Sequence, residues 1–465
     1  MKLRELVKAN PALQYVVDSM ELMSSAGRRV LLDFPFLADG AALEAEWERT
    51  AQAIRATKDA DNRRAYNDLR HALMQLHDLQ GTLASLAAHT PLNEVELFEI
   101  KHLAHLTRQA SAAVAELGLA EALPLPDLSE VFAMLDPDAT GMTNFYVYDS
   151  YDPQLPVIRR ELKALQASGS DPNRLGEVLA LHNDIQQAVC LRLSDRLYEY
   201  RQPLAKAMEL MAYADLLLAR ADLSLRWNLV RPVLADHVAY RGLVNPRLRD
   251  RNMSQGLRYQ PVDIDLREGV CVVTGANMAG KTVLLKSVGT AQQMVQCGMY
   301  APAEEAQVVL VADVVTSIGD EQDEMNGLSS FASEIIKISG ILQRCRNERL
   351  LVLIDEPART TNPVEGKALV QALIDLLGRS ASISLVTTHY GQLRCECRRL
   401  RVRGFVEDMC DLPVNPQTIN RFIDYSLAED TTGEVPHEAL RIAAILGCDA
   451  DLLSGARKAL DERQC

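Results

Sequence analysis

Aromatic residues are scarce: eight Phe, thirteen Tyr and two Trp make up 5% of 465 residues. Ala and Leu supply most of the apolar bulk instead, which favours helix-rich packing over a β-sandwich. No stretch approaches the roughly 18 to 20 unbroken apolar residues that a membrane helix needs. The opening "MKLRELVKANPALQYVVDSM" carries charges throughout and has no clean apolar core, so no secretory leader is expected. Nine cysteines lack the spacing of a disulfide framework, which together with the odd count predicts reduced thiols and a cytoplasmic protein. Cys395 and Cys397 form C-x-C, but neither a second pair nor a histidine pair follows, so two incidental thiols are expected in place of a zinc site. Positive charge is in deficit. The formal net charge of −14 argues against a generic polyanion binder, and contact with nucleic acid would need a local basic patch. Internal repeats and low-complexity tracts are absent as well.

At 465 residues the chain is too long for one ordinary core and predicts two or three domains. Residues 1–135 read as almost wholly helical, with strong helix formers and apolar residues at three- and four-residue steps. The breakers "FPFLADG" at 34–40 and "HTPLNE" at 89–94 punctuate them, the second introducing a helix near Glu94. Residues 136–230 form a second segment. It opens with a short aromatic run, "FYVY", readable as a strand or an extended crossing, and continues as helix to about residue 226. Within that helix Leu204, Met208, Met211, Leu218 and Leu225 lie on one stripe, interrupted by Asp215 and Asp222. The stripe reads either as core packing or as a long helix supporting a moving engine. After residue 231 short apolar strands alternate with helices, the pattern of a mostly parallel sheet covered on both faces.

The chemistry sits in that third segment. Gly275-Ala276-Asn277-Met278-Ala279-Gly280-Lys281-Thr282, followed by Val283, completes the pattern G-x-x-x-x-G-K-[ST] between a strand and a helix. The glycines let the backbone curl so that amides point inward at phosphate, and the helix N-terminus adds positive potential. Lys281 is placed to reach the β- and γ-phosphates, and Thr282 to ligate Mg²⁺. "RLLVLIDEP" is an apolar strand ending in Asp355-Glu356. A carboxylate pair there faces the ligand crevice, with Asp355 holding the metal and Glu356 polarising the attacking water. "TTH" at 387–389 ends the next strand, which sets His389 on the γ-phosphate side.

Together these elements resemble the MutS family. Asn277-Met278 within "TGANMAGKTV" is the part specific to that resemblance. "MVQCGMYAPAEEAQV", "SIGDEQDEMNGLSSFASEI", "RGLVNPRL" and "YQPVDIDL" are similar to further family segments, and the upstream helices resemble its core and lever. The resemblance implies an α/β ATPase domain of the P-loop NTPase, ABC/MutS type, preceded by an all-α core and lever domain. It divides the chain into a helical core at 1–135, lever helices with a vestigial or absent clamp at 136–230, the ATPase domain at 231–400 and dimerisation helices at 401–465. It implies ATP and Mg²⁺ as ligands, a homodimer in which Ser329 acts in trans on the partner's nucleotide, and Tyr259 against the adenine.

The departures are equally specific. The mismatch-reading domain of most MutS proteins has no counterpart in these segments, and Phe405-Val406-Glu407 matches its wedge only by coincidence, after the ATPase motifs. Only "LQASGSDPNRLGE" stands where the family has its DNA clamp. Pro357-Ala358-Arg359-Thr360-Thr361 replaces the family's Gly-Arg-Gly-Thr run. Two functional expectations result. One is a dimeric ATPase acting on DNA without a mismatch reader. The other, from the similarity to MutS-like proteins that accompany adenosylcobalamin-dependent aminomutases, is an ATP-driven reactivator of a metabolic enzyme.

Overall fold

The computed structural model describes residues 1–168, 172–276, 279–319, 330–394, 396–406, 419–431 and 439–461. The chain forms two compact units, Met20–Phe34 with Glu48–Leu223, and Met1–Ser19 with Pro35–Trp47 and Ser224–Cys465.

The first unit is helical. Its helix Glu94–Glu116 starts where the sequence predicts, because the Asn93 side chain accepts from the amides of Val95 and Glu96 while Glu96 bonds back to the Asn93 amide. Leu97, Ile100, Leu103, Ala104 and Ala110 form its buried stripe and join one core with Leu69, Leu73, Leu204, Met208 and Met211. A smaller cluster, Ile158, Leu162 and Val178, seals the helices Leu155–Ser168 and Pro172–Tyr198 against each other.

The two aspartates that break the stripe of helix Arg201–Trp227 have partners that the stripe itself does not reveal. Asp215 is buried and accepts from the amides of Met23 and Ser24 and from the Ser24 hydroxyl, which itself caps helix Ser25–Asp33 through the Gly27 amide. Burial raises the Asp215 pKa above the ordinary carboxylate value. Gly27 is required here, since a Cβ would lie 2.2 Å from the Asp215 carboxylate. Asp222 accepts a hydrogen bond from Tyr66 at 2.8 Å.

The run "FYVY" is not a strand. Lys101, fully buried, donates to Asp136 Oδ1 at 3.1 Å, the Asn144 carbonyl at 3.0 Å and the Tyr148 hydroxyl at 2.9 Å. All three ammonium protons are thus used, and the loop backbone turns inward to supply an acceptor where a ladder would need it free. Burial pushes the Asp136 carboxyl up, but hydrogen bonds from Thr140 and Gly141 and the Lys101 charge outweigh it and hold it down at about 2.

The second unit is α/β. Its strands are β1 (Val233–Leu234), β2 (Val238–Leu243), β3 (Val262–Leu266), β4 (Gly269–Thr274), β5 (Glu305–Val308), β6 (Asp313–Ser317), β7 (Leu350–Ile354), β8 (Ile383–Thr387), β9 (Arg398–Phe405) and β10 (Ile423–Glu429). The larger sheet runs β10-β9-β4-β8-β7-β6, parallel except for the β10 edge. Every residue of β4, β7 and β8 is buried, as a sheet covered on both faces requires. A second sheet, β1-β5-β2-β3, is mixed, so "AQVVLVADVVTSIG" feeds one strand to each sheet. Residues beyond 400 are not only helical. The end of β9 and all of β10 extend the large sheet, and the described α-helices there are Ala439–Ile445 and Ala450–Asp461. Alternation along "RRLRVRGF", with Leu400 and Val402 buried between less buried arginines, gives β9 its period of two.

Residues 1–19 and 35–47 group with this unit through the buried helix Lys281–Gln296. Asn10 donates to Thr290 and Gln293, Gln296 exchanges hydrogen bonds with the Leu37 backbone, and Trp47 donates to the Val295 carbonyl. Among the described residues no helix is long and apolar enough to cross a membrane.

The buried ion pair generates a test. Lys101→Met should destabilise the protein by about 3–5 kcal/mol, because Asp136 keeps its burial and loses its counter-ion; urea unfolding followed by circular dichroism measures it. The Asp136 contribution is intact above its ordinary value of 3.8 and is lost as pH falls through about 2. Acid unfolding of Asp136→Asn should therefore lack that part of the pH dependence.

Candidate functional site

Strands β4, β7 and β8 run parallel, so their C-terminal ends lie together at one edge of the sheet. β4 leads into Gly275 and Ala276, Gly280 adopts φ +78°, and the helix begins at Lys281. The left-handed backbone alone would favour glycine at 280, and a Cβ there would also meet the Tyr425 ring at 2.9 Å. Lys281 is 5% exposed. Its ammonium donates to the carbonyls of Gly275 at 2.7 Å and Ala276 at 3.0 Å, and lies 3.1 Å from Glu356 Oε1. Asn277 and Met278 lie outside the described residues, as does Ser329.

Asp355 follows β7 directly. Thr282 donates to its Oδ2 at 2.5 Å and Thr387, the last residue of β8, to its Oδ1 at 2.6 Å. The carboxylate is thus gripped by hydroxyls from two different elements. Next, the chain turns through positive φ at Glu356 (+45°) and Ala358 (+58°), a costly conformation for residues with a Cβ. Several bonds hold it there. The Glu356 amide donates to the Thr387 hydroxyl at 3.0 Å, the Ala358 amide to Glu334, and Tyr390 donates to the Ala358 carbonyl at 3.1 Å. The replaced segment Pro357 to Thr361 is therefore a braced turn at its start.

His389 is half-buried against Tyr390, with ring centroids 4.3 Å apart. Burial lowers its pKa, Lys281 and Arg359 lower it further, and Glu356 alone opposes them. The imidazole is consequently neutral at physiological pH. Beside the loop opens a cavity of about 580 Å³, lined by Tyr259, Gly280, Val283, Leu284, Val402 and Tyr425 among others. Tyr259 accepts at its hydroxyl from the Asn245 amide and presents its ring to the same cavity as Gly280 and Val283.

Lys281, Thr282, Asp355, Glu356 and His389 are thus brought together, with Tyr259 on the cavity beside them. Thr387 and Tyr425 were not read from the sequence as part of this site. Thr387 is visible in "TTH", but its contact with Asp355 depends on strand register; Tyr425 has no local signal. The residues fit a phosphate chain with a hard cation. Gly280 leads into a helix N-terminus, a buried ammonium stands beside it, and a hydroxyl adjoins one carboxylate, the sparse protein ligation that Mg²⁺ favours. Among the described residues no cluster of three His, Cys, Asp or Glu could form a denser metal cage. Cys395 lies outside them.

Residues 271–461 match the family model of MutS domain V. An endonuclease MutS2 of Halothermothrix orenii is 34% identical over 227 residues, 48% of this chain and 28% of that protein. An endonuclease MutS2 of Agathobacter rectalis is 29% identical over 293 residues, 62% of this chain and 35% of that protein. A DNA mismatch repair protein MutS of Thermus caldophilus is 25% identical over 460 residues, 84% of this chain and 54% of that protein. The chain spans about a quarter to just over half the length of these relatives.

The electrostatics of His389 yield a measurement. In a ¹H–¹⁵N titration of the histidines, His389 should titrate below the ordinary value of 6.5. Glu356→Gln removes the one charge that favours its protonation and should lower it further. Titration at or above 6.5 would contradict the placement of His389 beside two cations.

Proposed function

We propose that this chain is a member of the MutS family carrying its ATPase domain, a dimeric, Mg²⁺-dependent ATP hydrolase that couples nucleotide binding to movement of its helical unit; the domain V match and the MutS and MutS2 relatives support the reading. The observation that carries the site assignment is the convergence of Lys281, Thr282, Asp355 and Glu356, within hydrogen-bond or ion-pair distance, at one end of a parallel sheet.

In this reading the loop from Gly275 to Val283, Asn277 and Met278 included, wraps the phosphates. Lys281 exchanges the carbonyls of Gly275 and Ala276 for phosphate oxygens. Thr282 and Asp355 hold Mg²⁺, which supplies charge to neutralise those oxygens. Tyr259 lies against the base. Lys281 now pairs with Glu356 at 3.1 Å, so its turn toward phosphate releases the carboxylate to act as base. Glu356 orients a water and takes its proton as the water oxygen bonds to the γ-phosphorus and the bond to the bridging oxygen of ADP breaks. Neutral His389 donates a hydrogen bond on the γ-phosphate side. Ser329 completes the site of the partner subunit, which is the reason for a dimer.

The load proposed is DNA, since two sets of relatives are named as a DNA mismatch repair protein and as an endonuclease. The net charge of −14 favours a second reading in which the load is another protein, a metabolic enzyme kept active by ATP-driven remodelling.

Wild-type protein should release phosphate from ATP. Lys281→Ala should lose nucleotide binding. Glu356→Gln should bind ATP yet hydrolyse it at least about 100-fold more slowly. Full activity in both variants would refute the assignment. Gel filtration should show a larger species with ATP than without. Titration of duplex, mismatched and branched DNA at low and moderate salt should show salt-sensitive binding; none with any of them would leave the protein client as the load.

A further inference from the structure

We propose that Thr387 is a positioning residue for the metal-binding carboxylate: its hydroxyl orients Asp355 and, through the Glu356 amide, holds the strained turn that carries the base. The proposal rests on the Mg²⁺-dependent ATPase reading above.

A hydroxyl has one proton to give and two lone pairs to accept with. Thr387 gives its proton to Asp355 Oδ1 at 2.6 Å and accepts from the Glu356 amide at 3.0 Å. One atom therefore touches both members of the carboxylate pair. The side chain is 0% exposed, so no bulk water competes for either bond. Strand register sets the contact. Ile354 of β7 pairs with Val386 of β8, which brings Thr387 level with Asp355, the next residue along.

The second bond to Asp355 defines what Thr387 adds. A carboxylate turns about its terminal torsion with little preference. Thr282 alone, on Oδ2 at 2.5 Å, leaves that rotation open. With Thr387 on Oδ1 the plane is fixed from two sides, by the phosphate-loop helix and by β8. Glu356, at φ +45°, has its amide held by both the hydroxyl and the carbonyl of Thr387, the latter at 3.2 Å. Loss of the hydroxyl leaves one of these two acceptors and frees one carboxylate oxygen in a part-buried setting. β-Branching narrows the χ1 choices of threonine more than those of serine.

A merely structural threonine would affect folding. A positioning threonine affects the metal. The test uses the full chain as wild type, Thr387→Val, Thr387→Ala and Thr387→Ser. Mn²⁺ is the probe metal, and its binding is read by electron paramagnetic resonance in the presence of a non-hydrolysable ATP analogue. The Mg²⁺ concentration giving half-maximal hydrolysis and analogue binding in EDTA are read in parallel. Thr387→Val should weaken Mn²⁺ binding about tenfold or more and raise the half-saturating Mg²⁺ to match. Analogue binding in EDTA should be unchanged, and Thr387→Ser should recover most of the loss. Should the valine variant not fold, the alanine variant, which also removes the hydroxyl without adding bulk, gives the same reading. A folded valine or alanine variant with wild-type Mn²⁺ affinity overturns the proposal, and so does a serine variant as impaired as valine. Wild-type protein that binds neither the analogue nor Mn²⁺ refutes the ATPase reading and this proposal with it. Wild-type binding with unchanged Thr387 variants refutes the role of Thr387 alone.

Discussion

The helix Lys281–Gln296 is buried along most of its length, and it is not apolar. Ser287, Thr290, Gln292, Gln293 and Gln296 all lie inside with Lys281. Polar groups out of water must find partners or forfeit stability; Ser287 bonds to the Val283 carbonyl of its own helix, while Thr290 and the glutamines also reach other segments. At the C-terminal end Gln292 and Gln296 bond to each other and to the carbonyls of Val309 and Val311, and Gln296 also reaches Leu37. Asn10 satisfies Thr290 and Gln293. This obligation ties residues 1–19 and 35–47 to the α/β unit and steadies the helix whose first turn carries Lys281 and Thr282.

At that first turn the same rule pairs the charged groups of the candidate site. Lys281 is a buried cation with two carbonyls and Glu356 as partners. Asp355 is an anion held by two hydroxyls. These groups sit at a sheet edge where β4, β7 and β8 stop together, and the turn after Asp355 is held in a left-handed backbone by bonds from three sides. In the reading proposed above, the Asp355 carboxylate and the turn are already placed, and Lys281 is the group that exchanges partners as phosphate binds. The lowered pKa of His389 has the same origin. A half-buried imidazole beside Lys281 and Arg359 stays neutral, able to donate without adding a third cation.

The legible part of the site was local. Gly275 to Thr282, Asp355-Glu356 and His389 each occupy a few consecutive residues, and each pattern carries its chemistry whatever surrounds it. The alternation of strand and helix after residue 231 was legible because burial on both faces demands unbroken apolar strands, as β7 and β8 show. The aromatic run at 145–148 left a strand and an extended crossing open, and the structure excludes the strand. Its residues suit a strand, but Lys101 captures Tyr148 and the Asn144 carbonyl. The mixed sheet β1-β5-β2-β3 and the strands β9 and β10 had weaker local signals than the partners that stabilise them.

The sequence by itself determined that a phosphate-binding pattern is present, that it sits on an α/β sheet, and that the chain before that sheet is mostly helical. Loop curvature, helix formation and apolar strands depend on residues within a few positions of one another. Only the tertiary structure decided that Thr387 meets Asp355, that Tyr425 covers Gly280, that Asp215 holds the capping Ser24 of a helix nearly 200 residues away, and that residues 1–19 belong with the α/β unit. Those contacts join residues far apart in the chain. Strand register and the need of buried polar groups for partners select them, and both act only once the chain has folded.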